Sequence, residues 1–395
     1  MGDYNYPKLH ELQGSKVTIY LTPLNQLSDH FYARAKHAID QITHLVDGYL
    51  YTPRGREDHS IYTGYMGLAL THFLIYKKTK NAPSFEIAKK LTDIAITRLS
   101  GELVSFLTGD AGPLALGTVL YSLDGNLDRS SELRLWLLQL GQNASTDISC
   151  TLIDGWAGYL YALLFVNKHV HDTIPVDIIR KTVTRILMIG VTAAIRKRSS
   201  VPLFYEWKGK SYFGPLHGLC GILYMVLCSN VLEETEMYNI VRPTLDYLID
   251  SRSFRGNIPA TTYSESDILV QWCHGIPGFV QLFIKASEVV DPSYISYAME
   301  AADVVWNVGL LTKGYTLCHG VAGNAYSFLA LFRKTGDRKH LIRATGFIEW
   351  CLSYPRFERQ EPDRPYSLLK GYTGLLYFFT DVKDVSTTSF PGYEV

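Results

Sequence analysis

The chain has 395 residues, with 38 basic and 38 acidic side chains, 47% apolar and 13% aromatic content. This balance excludes a basic nucleic-acid binder, an acidic solvating tail and a disordered chain. Six cysteines without a secretory signal or an apolar span of roughly 18 residues point to free thiols or a metal site in a reducing cytosol; peripheral membrane contact stays open.

The first predicted element, after an N-terminal segment 1–27, is an amphipathic helix over Ser28–Tyr51. An apolar run, TGYMGLALTHFLIY from Thr63, follows it. The same alternation then recurs. Amphipathic patterns over Ser84–Ser100, Ser131–Gln142 and Asp177–Lys197 precede TGDAGPLALGTVLY from Thr108, DGWAGYLYALLFV from Asp154 and HGLCGILYMVLC from His217. Patterns over Met237–Ser251, Ser293–Leu310 and Lys339–Tyr354 precede HGIPGFVQLFI from His274, HGVAGNAYSFLALF from His319 and KGYTGLLYFFTD from Lys370. Several amphipathic patterns open with Ser or Asp, as helix N-caps do.

Seven copies of Gly-x-x-Gly, 45 to 63 residues apart, mark a repeat architecture. The unit reads as an amphipathic helix, a loop, Gly-x-x-Gly and a helix apolar nearly all round. A helix of the last kind is buried on several sides. One consistently apolar helix per pair suits two concentric layers, whereas an open solenoid, the alternative, shares its surface more evenly. The reading is an all-α fold: an α/α toroid, or barrel, of seven helical hairpins with seven inner and seven outer helices, formed by residues 28–395 as a single domain. The glycines are expected to let inner helices start tightly and approach one another closely.

In a closed ring, equivalent positions of all repeats meet at one mouth. The residue before the first glycine is Thr63, Thr108, Asp154, His217, His274, His319 and Lys370 in turn. One position earlier, Cys273 and Cys318 stand in adjacent repeats and are expected to face each other. Zinc takes thiolate and imidazole ligands tetrahedrally, and a catalytic site keeps one position open. Cys273, Cys318 and one or both of His274 and His319 form the candidate set. Cys220 and Cys228 lie within an apolar run and read as packing. His217, one repeat back, reads as a general acid or base because imidazole titrates near neutral pH. Asp154 and Asp110 either assist it or cap helices. The stretch PLFYEWKGKSYF, with Tyr205, Glu206 and Trp207, reads equally as a cover for the mouth and as aromatic loop packing.

WCHG and CHGxAGNAY at this spacing, with GDAGP, YALLFVNK and PLxYEW, carry a resemblance. Over nearly its whole length the sequence resembles the lanthionine synthetase C-like family, its eukaryotic members in particular. The resemblance implies the toroid, zinc held by Cys273, Cys318 and His319 with His274 left out, and an active-site role for His217. It also implies glutathione as co-substrate, its thiol adding to dehydroalanine and dehydrobutyrine residues of proteins or peptides. Lys313 matches a family lysine that contacts glutathione, and Gln360, Glu361, Pro362 and Asp363 match another contact segment. That segment opens with arginine in the family; here Gln360 takes its place and Arg359 is adjacent.

The functional expectation is a zinc-dependent glutathione transferase forming thioethers. The alternative is a non-catalytic glutathione-binding scaffold or signalling protein on the same fold. Zinc deaminases need His-x-Glu with Pro-Cys-x-x-Cys, which the sequence lacks, and ring-shaped glycosidases need paired cavity carboxylates. Lanthionine synthesis itself needs a dehydratase and a precursor peptide. Pro362 and Pro365 make a minimal PxxP, a spacing that an SH3-type partner recognises and that ordinary turns share.

Overall fold

In the segment Trp156–Val166 every side chain is buried, as the unbroken apolar run demands. In the next helix only one face is buried, through Ile179, Val183, Ile186 with Leu187, Gly190 and Ala194, which recur every three or four residues. These two patterns generate the architecture. The structure is a computed structural model that describes residues 20–22, 26–49, 58–145, 147–264, 266–311, 313–353, 362 and 364–395.

Among the described residues, inner and outer helices alternate. The outer layer holds α1 (Asp29–Tyr49), α3 (Ala82–Ile96), α5 (Leu127–Asn143), α7 (Val176–Lys197), α9, α11 (Tyr294–Val308) and α13 (Arg338–Leu352). Helix α9 runs from Glu234–Glu236 through a π-helical stretch, Met237–Val241, into Arg242–Asp250. The inner layer holds α2 (Met66–Thr79), α4 (Ala111–Leu123), α6 (Trp156–His169), α8 (Leu219–Cys228), α10 (Phe279–Val289), α12 (Val321–Thr335) and α14 (Tyr372–Asp381). Each inner helix packs on the next, and α14 packs back on α2. That last contact closes the ring and removes the open solenoid. The outer layer closes too: α1 packs on α13 and α14, and the Tyr32 hydroxyl donates to the Lys383 carbonyl at 2.8 Å.

The tight hairpin joins each inner helix to the outer helix after it, as at Lys80–Asn81 and Gly336–Asp337. The sequence unit, taken as outer then inner, is therefore joined by the longer rim loop. Ser28 caps α1 as expected, its Oγ accepting from the Phe31 N–H at 3.3 Å, but two other caps differ from the expected serines. Asn81 accepts from the Ser84 N–H and Asn126 from the Arg129 N–H, so Ser84 and Ser131 sit inside their helices. Asparagine supplies the same acceptor oxygen as serine at the cap.

The glycines serve the rim loops more than the helix–helix contacts. A Cβ on Gly221 would lie 1.9 Å from the Pro215 carbonyl of its own loop. A Cβ on Gly278 would lie 2.0 Å from Pro215 Cγ in the neighbouring loop. Each rim loop thus lies flat on the first turn of its inner helix.

Beyond α14 the chain turns back into the ring. Phe390 and Tyr393 are fully buried there. Phe390 stacks on Trp272 at 4.2 Å, and the Tyr393 hydroxyl donates to the Gly278 carbonyl at 3.0 Å. Each such aromatic side chain contributes about 1.5–3 kcal/mol by leaving water. The tail fills the middle of the toroid and leaves the rim end open for side chains. No helix among the described residues is long and apolar enough to cross a membrane.

Candidate metal centre

The rim is stitched by backbone hydrogen bonds between equivalent positions of successive repeats. The Tyr62 N–H donates to the Leu107 carbonyl at 2.8 Å and the Ile153 N–H to that of Leu216 at 3.2 Å. The Cys273 N–H donates to Cys318 at 3.1 Å, Cys318 to Leu369 at 2.8 Å, and Leu369 to Tyr62 at 3.3 Å, all on carbonyls. This belt holds Cys273 and Cys318 side by side, as expected from their register.

Local structure sets the side chains. Gln271 and His274 exchange both backbone hydrogen bonds at 3.1 Å, which pins Cys273 in a tight turn. Buried Asn324, on the first turn of α12, donates to the carbonyls of Val270 and Gly309, both at 2.9 Å. Asn257 accepts from the Ile276 N–H at 2.8 Å and donates to the Leu269 carbonyl at 3.1 Å. Gly275 follows at φ +108°, a conformation that suits glycine.

One sulfur each from Cys273 and Cys318 and one nitrogen from His319 lie within 4.8 Å of one another. Ligands of a tetrahedral zinc stand roughly 3.6–3.8 Å apart, given bond lengths of roughly 2.1–2.3 Å. Small side-chain adjustments reach that spacing. The sulfurs are also provided with donors. The Gln271 amide donates to Cys273 Sγ at 3.4 Å, and the Tyr62 hydroxyl lies 3.2 Å from Cys318 Sγ.

The two thiols differ in their electrostatics. Burial opposes ionisation of both, and Cys273 is pushed well above the ordinary thiol range. Cys318 overcomes burial through hydrogen bonds from Cys273, His319 and Tyr62 and is held well below that range. The pair thus favours the thiolate on Cys318 and the thiol on Cys273. Burial also raises Tyr62 far above the usual phenol, so it keeps its proton and donates to the Cys318 sulfur. Two adjacent cysteines, an imidazole and donors aimed at sulfur suit zinc better than an oxygen-loving cation.

Beside this cluster lies an aromatic wall. His217 stacks on Trp207 with ring centroids 4.1 Å apart, and His274 lies 5.6 Å away. Tyr212 touches both histidines, at 5.4 and 5.7 Å. The Trp207 indole donates to Asp154 at 2.8 Å; the same carboxylate accepts from Ser149 at 2.8 Å and from Thr151. Burial, then His274, lowers His217 to about 4. His217 Nδ1 is buried without a protein hydrogen-bond partner. Lys208 and Lys370 add positive charge near His217, and exposed Lys313 does so for Cys273 and His274.

A family profile described as lanthionine synthetase C-like protein matches residues 55–395. The chain belongs to this family. It is 34% identical over 380 residues to the Danio rerio protein named glutathione S-transferase LANCL1, covering 93% of each chain. It is 32% identical over 357 residues to the Arabidopsis thaliana LanC-like protein GCL1, covering 86% of this chain and 82% of that one. The solved structure of nisin cyclase superposes with a TM-score of 0.66 at 16% identity, covering 88% of this chain and 93% of the cyclase. That likeness bears on the fold, and it agrees with the toroid.

In this LanC-like ring the sequence-derived residues separate into groups. Cys273, Cys318 and His319 converge. His274 adjoins them, His217 lies against His274, and Lys313 is close enough to act on Cys273. Asp154 reaches His217 through Trp207. Asp110 does not join the cluster: its carboxylate accepts from the Ser100 hydroxyl at 3.1 Å and the Gly101 N–H at 2.6 Å. Tyr205 is buried and bonds the Ile186 carbonyl, and Glu206 pairs with Lys197, so only Trp207 of that triplet reaches His217. Arg359, Gln360, Glu361 and Asp363 lie outside the described residues. Pro365 is tied into the rim, its carbonyl accepting from the Tyr372 N–H at 2.6 Å. Cys220 is buried, as expected of a packing cysteine, and all six cysteines are free.

Tyr62 and Gln271 were not singled out by the sequence. Tyr62 had a signal in register: it holds the position in its repeat that Cys273 and Cys318 hold in theirs.

Proposed function

We propose that this chain is a zinc-dependent transferase that adds the thiol of glutathione to dehydroalanine and dehydrobutyrine residues in proteins or peptides. The observation that carries the reading is the convergence of Cys273, Cys318 and His319 beside an unpartnered, stacked His217. The name of the zebrafish relative supports glutathione as the co-substrate.

Cys273, Cys318 and His319 would hold the metal. Zinc bound there supplies a Lewis acid that brings a thiol's pKa toward neutrality. His217, neutral in its buried setting, accepts the thiol proton. Sulfur then bonds to the β-carbon of the dehydroamino acid as the C=C π pair moves to the α-carbon. His217 returns the proton to that α-carbon, so the addition consumes and releases nothing else. Trp207 holds the imidazole plane throughout. Lys313 and Lys370 give the mouth cations that suit the carboxylates of glutathione. Free thiols throughout the chain suit a reducing cytosol.

The test is a mass-spectrometric assay. A dehydroalanine peptide is incubated with glutathione and protein, against a no-protein blank. The reading predicts a zinc-dependent rate above blank that is lost in His217→Ala and Cys318→Ala. A rate equal to blank, with zinc and glutathione both bound, would favour the non-catalytic scaffold instead.

A further inference from the structure

The inner helices begin at the metal-centre rim and end at the opposite mouth. A cavity of about 480 Å³ opens there, separated from the metal centre by the buried tail around Phe390 and Tyr393. Its wall is apolar on one side, with Leu70, Phe73, Phe165 and Tyr377. The rest is charged: Lys77 and Lys78 come from the last turn of α2, Lys168 comes from the last turn of α6 beside the neutral His169, and Lys383 stands with Asp381, Asp384 and Glu394.

Cations at helix C-termini complement the helix dipole, which is the ordinary reason to find them there. Two features go beyond that. First, the carboxylates of this mouth are already engaged. Lys78 lies 3.2 Å from Asp381, which also accepts from the Tyr326 hydroxyl and the Ser389 N–H. Glu394 pairs with Arg333 and accepts from the Phe390 N–H. Asp384 accepts from Ser386 and Thr387. Lys77 instead reaches the His169 ring at 3.1 Å, and Lys168 reaches the Ser389 hydroxyl at 3.5 Å.

Second, the positive groups press on one another. Lys77 stands exposed at the mouth, and partial desolvation, then Lys168 and Lys78, lower it. Burial and then Lys77 and Lys168 lower His169 to about 3, which leaves that ring neutral and able to accept from Lys77. Lys168 is exposed to the cavity; partial desolvation lowers it too, with Glu394 and Asp381 opposing and Arg333 adding. An anion at this point would relieve that repulsion.

We propose that the mouth opposite the metal centre is a binding site for a small phosphate monoester, its phosphate held by Lys77 and Lys168 and its organic part against Phe73 and Phe165. A dianion balances two ammonium groups, whereas a monocarboxylate balances one. The site is independent of the thiol-addition reading, since the tail lies between the two ends of the ring.

The experiment titrates the full chain with phenyl phosphate, inorganic phosphate and benzoate by calorimetry, alongside Lys77→Gln, Lys168→Gln and Lys80→Gln. Phenyl phosphate should bind most tightly, and more weakly as salt rises. Its affinity should fall about tenfold in each of the first two variants, the loss expected for a charge-assisted contact, and hold in Lys80→Gln. If one variant fails to fold, the other alone decides. No saturable binding of phenyl phosphate at millimolar concentration overturns the proposal. So does an affinity unchanged by both substitutions, or benzoate binding as tightly as phenyl phosphate.

Discussion

The imidazole of His217 lies nearly parallel to the indole of Trp207, 4.1 Å apart with 16° between planes, and the indole is in turn anchored on Asp154. Stacking fixes the imidazole plane while leaving its Nδ1 without a protein partner. His217→Ala should lower the catalysed rate by about 10²–10⁴, the range of a lost general acid or base, with zinc content unchanged. Trp207→Phe keeps a stacking face and removes the hydrogen bond to Asp154. Its kcat should fall by about tenfold with little change in KM. A Trp207→Phe enzyme with wild-type kcat would show that the anchor on Asp154 is irrelevant to the reaction.

Cys318→Ser and His319→Ala each remove one of three converging ligands. Metal analysis should find zinc in the wild type and little in either variant. Tyr62→Phe removes the phenol beside Cys318 Sγ and nothing else of size. Partners of metal ligands typically tune affinity or activity by 10–100-fold, so its zinc affinity should drop within about that range. An unchanged affinity would reduce Tyr62 to a packing role.

Zinc binding should release protons in a way set by the two thiols. Cys318 is held low and Cys273 high, so at neutral pH only Cys273 carries a proton to be displaced. Binding calorimetry in buffers of different ionisation enthalpy should report release of about one proton, and affinity should rise about tenfold per pH unit. The gain should flatten once pH passes the raised value of Cys273. Release of two protons at neutral pH would contradict the split between the thiols.

Asp381 couples α14 to the tail and is raised from 3.8 to about 6 by burial, with Lys78 opposing. A carboxyl raised in the folded state stabilises the fold fully below its unfolded value. That contribution is lost as pH rises from about 4 through about 6, since the folded state binds more protons across this window. The shift corresponds to about 3 kcal/mol. The wild type should therefore lose melting temperature relative to Asp381→Asn as pH climbs from 4 to 6, and parallel curves would count against the raised carboxyl.

Gly275→Ala should be far more damaging than Gly125→Ala, though both glycines have positive φ. A Cβ on Gly275 would lie 1.9 Å from the Leu269 carbonyl, while none of the structure lies within 4 Å of one on Gly125. Strain at positive φ alone costs about 1 kcal/mol. Thermal melts should show the modest loss for Gly125→Ala and a clearly larger one, with lost zinc, for Gly275→Ala.

Much of this site was legible in one dimension. The Cys-His-Gly repeat put Cys273 beside Cys318 because equivalent positions of adjacent repeats are neighbours, and the belt of backbone hydrogen bonds realises that. His217 followed from the same register. The limits had physical causes. Asp110 looks equivalent to other polar rim residues, but a carboxylate next to Ser100 and Gly101 is captured by local donors. Ser84 and Ser131 resembled N-caps, yet Asn81 and Asn126 stood a few residues earlier with the same acceptor chemistry.

The sequence by itself determined the alternation of buried and amphipathic helices, their number, and the register that gathers Cys273, Cys318 and the histidines. Hydrophobic period and repeat spacing are local properties of a chain, and they survive without knowledge of the fold. Only the tertiary structure decided what closure brings together. Tyr62 reaches Cys318 across 256 residues of sequence because the first repeat and the last ones meet when the ring shuts. Phe390 stacks on Trp272 because the lumen left by seven helices must be filled, and the returning tail is what fills it.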